Sequence, residues 1–219
     1  MNRLQLQTTF EPRFRKPKYR GTAVPLTQSD EVSLGLILGA AFHADPKKDI
    51  KVFNLCVLDL DTPEIPLTTI PMNFFGHGIV PDPANPKLVS VFEKRGRGAC
   101  EIDLKKSTVT RTIETAANRE FYGHGAYSPD GSLLYCTETI VEGDYKGLIA
   151  VRDAKTHNYL GEFPSFGSSP HDCRLIDNGK TMVVTNGGGA LDGTVPNVSY
   201  IDVATESLIE TVDFDTAPV

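Results

Sequence analysis

Short apolar runs separated by turn-forming residues make up most of the chain after residue 30. In the stretch FYGHGAYSPDGSLLYCTE, residues 121–138, one apolar run leads into Pro129-Asp130-Gly131, and a second run begins at Leu133. A third run ends at Asp153, where a turn and a fourth run follow. Turn residues between runs of strand composition are typical of antiparallel hairpins. The pattern therefore predicts four short antiparallel strands in this segment.

The same order of runs and turns recurs at one interval along the chain. His77, His124 and His171 each open a copy, and successive histidines are 47 residues apart, from 77 to 124 and from 124 to 171. A period of this length with four strands per copy is typical of β-propeller blades. We predict an all-β fold, a β-propeller of four blades with four antiparallel strands each. The expected blades cover about residues 32–71, 77–117, 124–166 and 171–214.

The first of these blades is degenerate, because it lacks the histidine and shows three strand-like runs rather than four. Propellers close with four to eight blades. The four blades could therefore close as a small ring, close as an oligomer, or form part of a longer ring. Incomplete closure would leave apolar blade faces exposed, which predicts self-association.

An aspartate ends the third run of each copy that opens with a histidine and the second run of the first copy, and a Thr or Lys stands three residues after it. The four positions are Asp59, Asp103, Asp153 and Asp202. An aspartate in this place caps its own turn, so we predict structural roles for these carboxylates rather than acid catalysis or calcium binding.

Charge is unevenly distributed in this chain of 219 residues, which is 40% hydrophobic and has a net charge of −6. Residues 1–20 hold six basic residues and one acidic residue without apolar periodicity. We therefore predict a flexible basic arm over residues 1–30, followed by the blades in 31–219. No apolar run is long enough for a membrane span, and we expect no nucleic-acid partner. The four cysteines form no disulfide pattern, and free, buried thiols are expected.

Two stretches resemble a known bacterial propeller family, the one catalogued as domain of unknown function 1513. They are Phe121–Gly188, which includes FYGHGAYSPDGSLLYCTE, and FEKRGRGACEID at Phe92–Asp103. More distantly, the chain is similar to selenium-binding, copper-dependent propellers. The resemblance implies a seven-bladed, exported, periplasmic protein linked to iron acquisition. This sequence has Phe75 where the family usually has arginine, and no recognisable leader, which leaves a cytoplasmic location open.

The repeated histidines are the strongest candidates for a functional site. Inner propeller strands run beside the central channel, so His77, His124 and His171 are predicted to form part of a ring. Imidazole suits copper, iron and zinc, and three such ligands with an open position are typical of a catalytic metal site. The alternative is that each histidine hydrogen-bonds the adjacent blade and binds nothing.

A second tier of candidate ligands is predicted at the end of the second strand of each copy. Its members by register are His43, Glu93, Glu138 and Asn186. Cys173, two residues after His171, is expected to share its side of the strand and to offer a soft ligand. The interpretation that these residues serve loop packing also stays open. His157 falls in a turn between strands and is expected to be solvated.

Two functions from different classes follow. The first is a binding or interaction scaffold for a protein partner or a metal, linked to iron or copper handling. The second is a metal-dependent oxidoreductase with His77, His124 and His171 as ligands. The sequence offers no nucleophile elbow and no phosphate loop, because the glycines at 187–189 do not lie between a strand and a helix. Catalytic residues are therefore unassigned.

Overall fold

Fifteen β-strands, paired antiparallel in three sheets, form the regular structure of the part of the chain that is described. The structure, a computed structural model, describes residues 35–45, 50–62, 64–142, 145–187 and 195–214. All of them belong to one body, Leu34–Val219. Within these ranges the only helical element is a 3₁₀ turn at Asp177–Gly179. The predicted basic arm, residues 1–30, lies outside the described residues.

The first unit is a three-stranded antiparallel sheet in the order β1-β2-β3. Its strands are β1 (Leu36–Asp45), β2 (Ile50–Asp59) and β3 (Thr68–Met72). They correspond to the three apolar runs found in the degenerate copy.

The second and third units are four-stranded meanders joined at one corner. The second contains β4 (Gly76–Pro81), β5 (Leu88–Gly96), β6 (Ala99–Asp103) and β7 (Thr108–Thr112). The third contains β8 (Arg119–Tyr127), β9 (Leu133–Ile140), β10 (Lys146–Asp153) and β11 (Tyr159–Ser168). A short pairing of β5 with β8, through Lys94 with Tyr122 and Gly96 with Phe121, links them into one eight-stranded sheet.

The fourth unit is a separate four-stranded sheet in the order β12-β13-β14-β15. Its strands are β12 (Pro170–Ile176), β13 (Thr181–Asn186), β14 (Asn197–Asp202) and β15 (Ser207–Asp213). Each copy that begins with a histidine thus has four antiparallel strands, as the pattern of runs and turns predicts.

Three hydrophobic cores lie between successive units. Leu55 and Ile70 of the first unit pack with Val91 of the second. The core between the second and third units is centred on Phe92 and Phe121, whose ring centroids are 5.8 Å apart. The third core joins residues of the third unit to residues of the fourth: Ala126, Tyr135, Ile149, Phe163, Cys173, Met182, Val184 and Ile201. Burial of apolar surface between the units therefore holds their first strands close together.

The aspartates at the strand ends cap the turns that follow them, as predicted. The carboxylate oxygen accepts hydrogen bonds from backbone N–H groups two or three residues later, at 2.9 Å for Asp59, 3.0 Å for Asp103, 2.7 Å for Asp153 and 2.8 Å for Asp202. These backbone hydrogen bonds lower the carboxyl pKa of Asp103 and Asp202. The pKa of Asp153 is lowered by the hydroxyl of Thr156 together with its backbone N–H.

All four cysteines are free thiols. Cys100, Cys136 and Cys173 are buried, and Cys56 is partly buried. Among the described residues no helix is long and apolar enough to cross a membrane.

Candidate metal centre

The side chains of His77, His124 and His171 converge from β4, β8 and β12, the first strands of three successive units. One ring nitrogen of each lies within 4.8 Å of those of the other two. The Nε2 atoms of His77 and His171 are 3.2 Å apart, and the ring centroids are 5.0 to 5.3 Å apart. The cluster is partly open, because His77 is exposed and the other two are partly buried. Of the described residues, only these three form a group with metal-binding geometry.

A local irregularity of the strand turns each histidine towards the cluster. On β4, Gly76 pairs with Glu93 and Gly78 with Phe92, so His77 is the extra residue of a β-bulge. The same shift leaves His171 unpaired between Pro170 and Asp172 on β12. On β8 the regular pairing stops at Phe121 and resumes at Gly125, and His124 lies between them. Bulges bend a strand and change the direction of one side chain. This explains why the three imidazoles can point towards one another although they come from different strands.

Glycines beside the histidines allow the strands to approach this closely. A Cβ atom at Gly78 would overlap the carbonyl oxygen of Gly123 and would lie 3.0 Å from His124 Nδ1. Gly123 has a φ of +120°, and a Cβ atom there would lie 2.8 Å from the ring of His77. The repeated Gly-His motif is therefore a packing requirement of the cluster as well as a repeat signature.

Burial lowers the pKa of all three imidazoles. For His77 burial acts together with the positive charge of Lys94, and for His124 burial outweighs the opposing effect of Asp172. The pKa of His171 is lowered to about 4 by burial, by Lys94 and by the two neighbouring histidines. The rings are consequently neutral at pH 7, and neutral imidazole is the form that binds metals.

Two charged side chains lie beside the rings. Lys94 Nζ lies 3.4 Å from His171 Nδ1, and because an ammonium only donates, Nδ1 accepts. In that tautomer the Nε2–H of His171 donates to His77 Nε2. Asp172 Oδ1 lies 3.8 Å from His124 Nδ1, and its other oxygen lies 3.2 Å from Arg174.

A cavity of about 580 Å³ opens beside the cluster. It is lined by Phe75, His77, Glu93, Lys94 and Arg95. The ring of Phe75, which is 41% exposed, packs against Phe42 at 5.3 Å and Phe53 at 6.1 Å between ring centroids. The cavity thus combines a cationic side with an aromatic side.

The second tier of candidate ligands occupies equivalent positions but does not join the cluster. Glu93, Glu138 and Asn186 each pair with the residue that precedes a bulge, in agreement with the predicted register. His43 lies on β1 opposite Val52 and is exposed. None of these residues belongs to the described group with metal-binding geometry.

The polar side chains of this second tier form hydrogen bonds to other residues of the protein. Glu93 accepts the N–H of Gly98 at 2.9 Å. Glu138, 1% exposed, accepts hydrogen bonds from Thr115 at 2.8 Å and Arg152 at 2.7 Å. Asn186 bonds the side chain and backbone of Ser165 and the side chains of Asn197 and Ser199. These contacts favour the structural role that is the alternative in each case.

Two expectations for individual residues are wrong. Cys173 lies in the hydrophobic core, and burial raises the pKa of its thiol. The bulge at His171 interrupts the alternation that would have placed both side chains on one side of β12. His157 is buried rather than solvated, since its Nε2 lies 3.1 Å from Glu101 Oε2 and connects the third unit to the second.

Sequence alone gives no role in the site to Lys94, Asp172 or Phe75. Lys94 and Asp172 each stand directly after a candidate ligand, Glu93 and His171. Phe75 stands out in the sequence only as a departure from the family pattern. For Lys94 and Asp172, the position next to a candidate residue in the sequence is the one signal that could have pointed to them, and it does not show in which direction their side chains lie.

Comparisons with known proteins place the chain in a family without assigning an activity. The structure is similar to that of Kuenenia stuttgartiensis hydrazine synthase, with a TM-score of 0.62, 16% sequence identity and 86% of this chain covered. The chain spans 53% of the length of that protein, and at this identity the similarity concerns the fold alone. No curated protein matches the sequence. Residues 70–215 match the family described as "Protein of unknown function (DUF1513)", and the chain belongs to this family.

Proposed function

We propose that this chain is a metal-binding scaffold in which His77, His124 and His171 hold a transition metal ion. The observation that carries the proposal is the convergence of three imidazoles from three separate strands. Copper, zinc and iron are the candidate metals, because imidazole nitrogen suits all three. The histidines would supply three ligands and leave further coordination positions open.

The spacing of the nitrogens supports this role. Zn–N bonds of about 2.0 to 2.1 Å in a tetrahedral site place two ligand nitrogens about 3.4 Å apart. The Nε2 atoms of His77 and His171 are 3.2 Å apart. A third nitrogen within 4.8 Å can reach the same ion by a rotation of its side chain. The rings are neutral at pH 7, so binding through Nε2 of His171 would require only that its proton move to Nδ1, which would release Lys94 from that nitrogen.

The scaffold is proposed to be a β-propeller with the four units as blades. Successive antiparallel units with cores between them support this assignment, and the similarity to hydrazine synthase, a propeller-containing protein, is compatible with it. The seven-bladed ring implied by the family resemblance stays a prediction. In this arrangement the cluster lies where the inner strands of neighbouring blades meet.

Elemental mass spectrometry tests the metal site. Untagged protein reconstituted with copper, zinc or iron and then desalted is expected to retain about one ion per chain. The triple variant His77→Ala, His124→Ala, His171→Ala is expected to retain none and to keep its circular dichroism spectrum. His43→Ala, which removes an exposed histidine outside the cluster, is the matched control. Absence of bound metal in the wild type, or equal loss in the His43→Ala variant, would overturn the proposal.

A metal-dependent oxidoreductase is the second candidate function. The observation that favours it is the cavity that reaches His77, since a substrate in it could approach the open side of the ion. The copper-loaded protein would then consume oxygen in the presence of a hydroquinone, and the triple variant would not. Stoichiometric copper without such turnover would leave the binding scaffold as the function.

A further inference from the structure

We infer that the cavity beside the histidine cluster binds a small aromatic carboxylate, with its anionic group between the metal and Lys94 and its ring against Phe75. The inference rests on the proposed metal site, since the bound ion supplies part of the attraction. It assigns to that site a class of ligand.

The first step is the balance of charge around the cluster. Lys94 Nζ lies 3.4 Å from His171 Nδ1, and a divalent ion on the neutral histidines would add two positive charges next to it. Asp172 lies on the side of His124 and is paired with Arg174 at 3.2 Å. Glu93, which accepts the N–H of Gly98, adds one negative charge to the cavity wall, and Arg95 adds one positive charge. The site therefore has more positive than negative charge and favours an anion at the open coordination position.

The second step concerns the donors that an anion would meet. An ammonium has three N–H donors, and a metal on Nε2 of His171 would put the proton of that ring on Nδ1 and so free Lys94 from its contact with His171. Carboxylate oxygens bind both first-row transition metals and ammonium groups. A carboxylate can therefore bridge the ion and Lys94 with its two oxygens. Arg95 contributes less, since its Nε donates to the hydroxyl of Tyr122 at 3.0 Å and its guanidinium lies over that ring.

The third step concerns the rest of the ligand. The cavity of about 580 Å³ is larger than an acetate ion needs and lies in the range of small-molecule sites. Phe75 forms its apolar wall and is held by Phe42 and Phe53. Such an exposed, supported ring favours an offset or edge-to-face contact with another ring. An aromatic carboxylate would place its anionic group at the cationic side of the cavity and its ring at the aromatic side.

Cobalt spectroscopy of the full chain tests the inference with benzoate as the probe. Benzoate is expected to change the visible absorption of the Co²⁺-loaded protein in a saturable way, and acetate to bind at least tenfold more weakly. Benzamide, the neutral analogue, is expected to leave the spectrum unchanged. Lys94→Gln should weaken benzoate binding about tenfold or more, because a charge-assisted hydrogen bond is lost. Phe75→Ala should weaken benzoate but leave acetate unchanged.

The control variant is Lys106→Met, which removes an exposed lysine that pairs only with Asp103 in its own turn among the described contacts. It should bind benzoate like the wild type. Binding of Co²⁺ to the wild type and its loss in the triple histidine variant would support the metal site. If benzoate then binds equally to the Lys94→Gln variant, or benzamide binds as well as benzoate, the inference is overturned while the metal site stands. If Co²⁺ does not bind at all, the proposed function fails and the inference with it.

Discussion

His77 and His171 touch through their Nε2 atoms, 3.2 Å apart, although 94 residues separate them in the chain. They belong to the second and fourth units, and His124 of the third unit completes the group. Contact between units that are not adjacent in sequence requires the first strands to curve round a common point. The Nε2 contact therefore brings the same repeat position of the second and fourth units together, and His124 adds that of the third unit.

Replacement of Gly78 by alanine is expected to prevent the close contact between strands β4 and β8. The new Cβ would overlap the carbonyl oxygen of Gly123, and forced repacking of this kind costs about 1 to 3 kcal/mol. Urea unfolding should show that loss, and metal affinity should fall because β4 and β8 move apart. Gly39→Ala is the control, since no atom lies within 4 Å of the place that its new Cβ would take. Equal stability of the two variants would contradict the packing argument.

The repeat can be predicted from sequence, but the geometry of the site cannot. Turn residues between apolar runs predict four strands per copy and the equivalence of the three histidines, because both depend on local pattern. Convergence depends on the bulges at His77 and His171 and on the contact between Gly78 and Gly123, which are properties of strand pairing and spacing. Burial of His157 depends on a partner from another unit, and no local pattern reveals such a partner.

Loss of the Arg152 guanidinium is expected to destabilise the third unit strongly. Its Nη2 donates to Glu138 Oε1 at 2.7 Å, and both side chains are almost fully buried. Arg152→Met leaves a buried carboxylate without its nearest cation, which typically costs about 3 to 5 kcal/mol. Thermal and urea unfolding would measure the change.

A double variant separates charge pairing from packing at this place. Arg152→Met combined with Glu138→Gln should be less unstable than the sum of the two single variants, because it leaves no unpaired charge. Lys106→Met, which breaks the pair of an exposed lysine with Asp103, should change stability far less than Arg152→Met, because water screens the charges. Additive single effects at Arg152 and Glu138 would show that the pair is not energetically coupled.

Stability is expected to fall as the pH drops below about 6.5, in part because of His157. Burial lowers the pKa of this imidazole in the folded protein from 6.5. The unfolded chain therefore takes up a proton that the folded chain does not, so the contribution is complete above the unfolded pKa and is lost as pH falls towards the folded pKa. His157→Gln should reduce the difference in unfolding free energy between pH 7.5 and pH 5.5.

The matched control for this titration is His43→Gln, because His43 is exposed on β1. A change in slope that appears in the His157→Gln variant but not in the His43→Gln variant would belong to His157. The clustered histidines, whose pKa values are also lowered, should leave a residual slope in the His157→Gln variant. An unchanged slope in that variant would mean that His157 is protonated alike in the folded and unfolded chains.

Reactivity of the thiols should differ sharply along the chain. Burial raises the pKa of Cys100 and of Cys136 to about 12, and it also raises that of Cys173. The thiolate is the reactive form, and Cys56 is the one cysteine that is only partly buried, so an alkylating agent at pH 8 should reach and modify Cys56 first in the native protein. Mass spectrometry of peptides after a short exposure would identify the labelled positions, and in urea all four thiols should react at similar rates. Rapid native labelling of Cys136 or Cys173 would mean that the cores between the units open far more readily than their packing indicates.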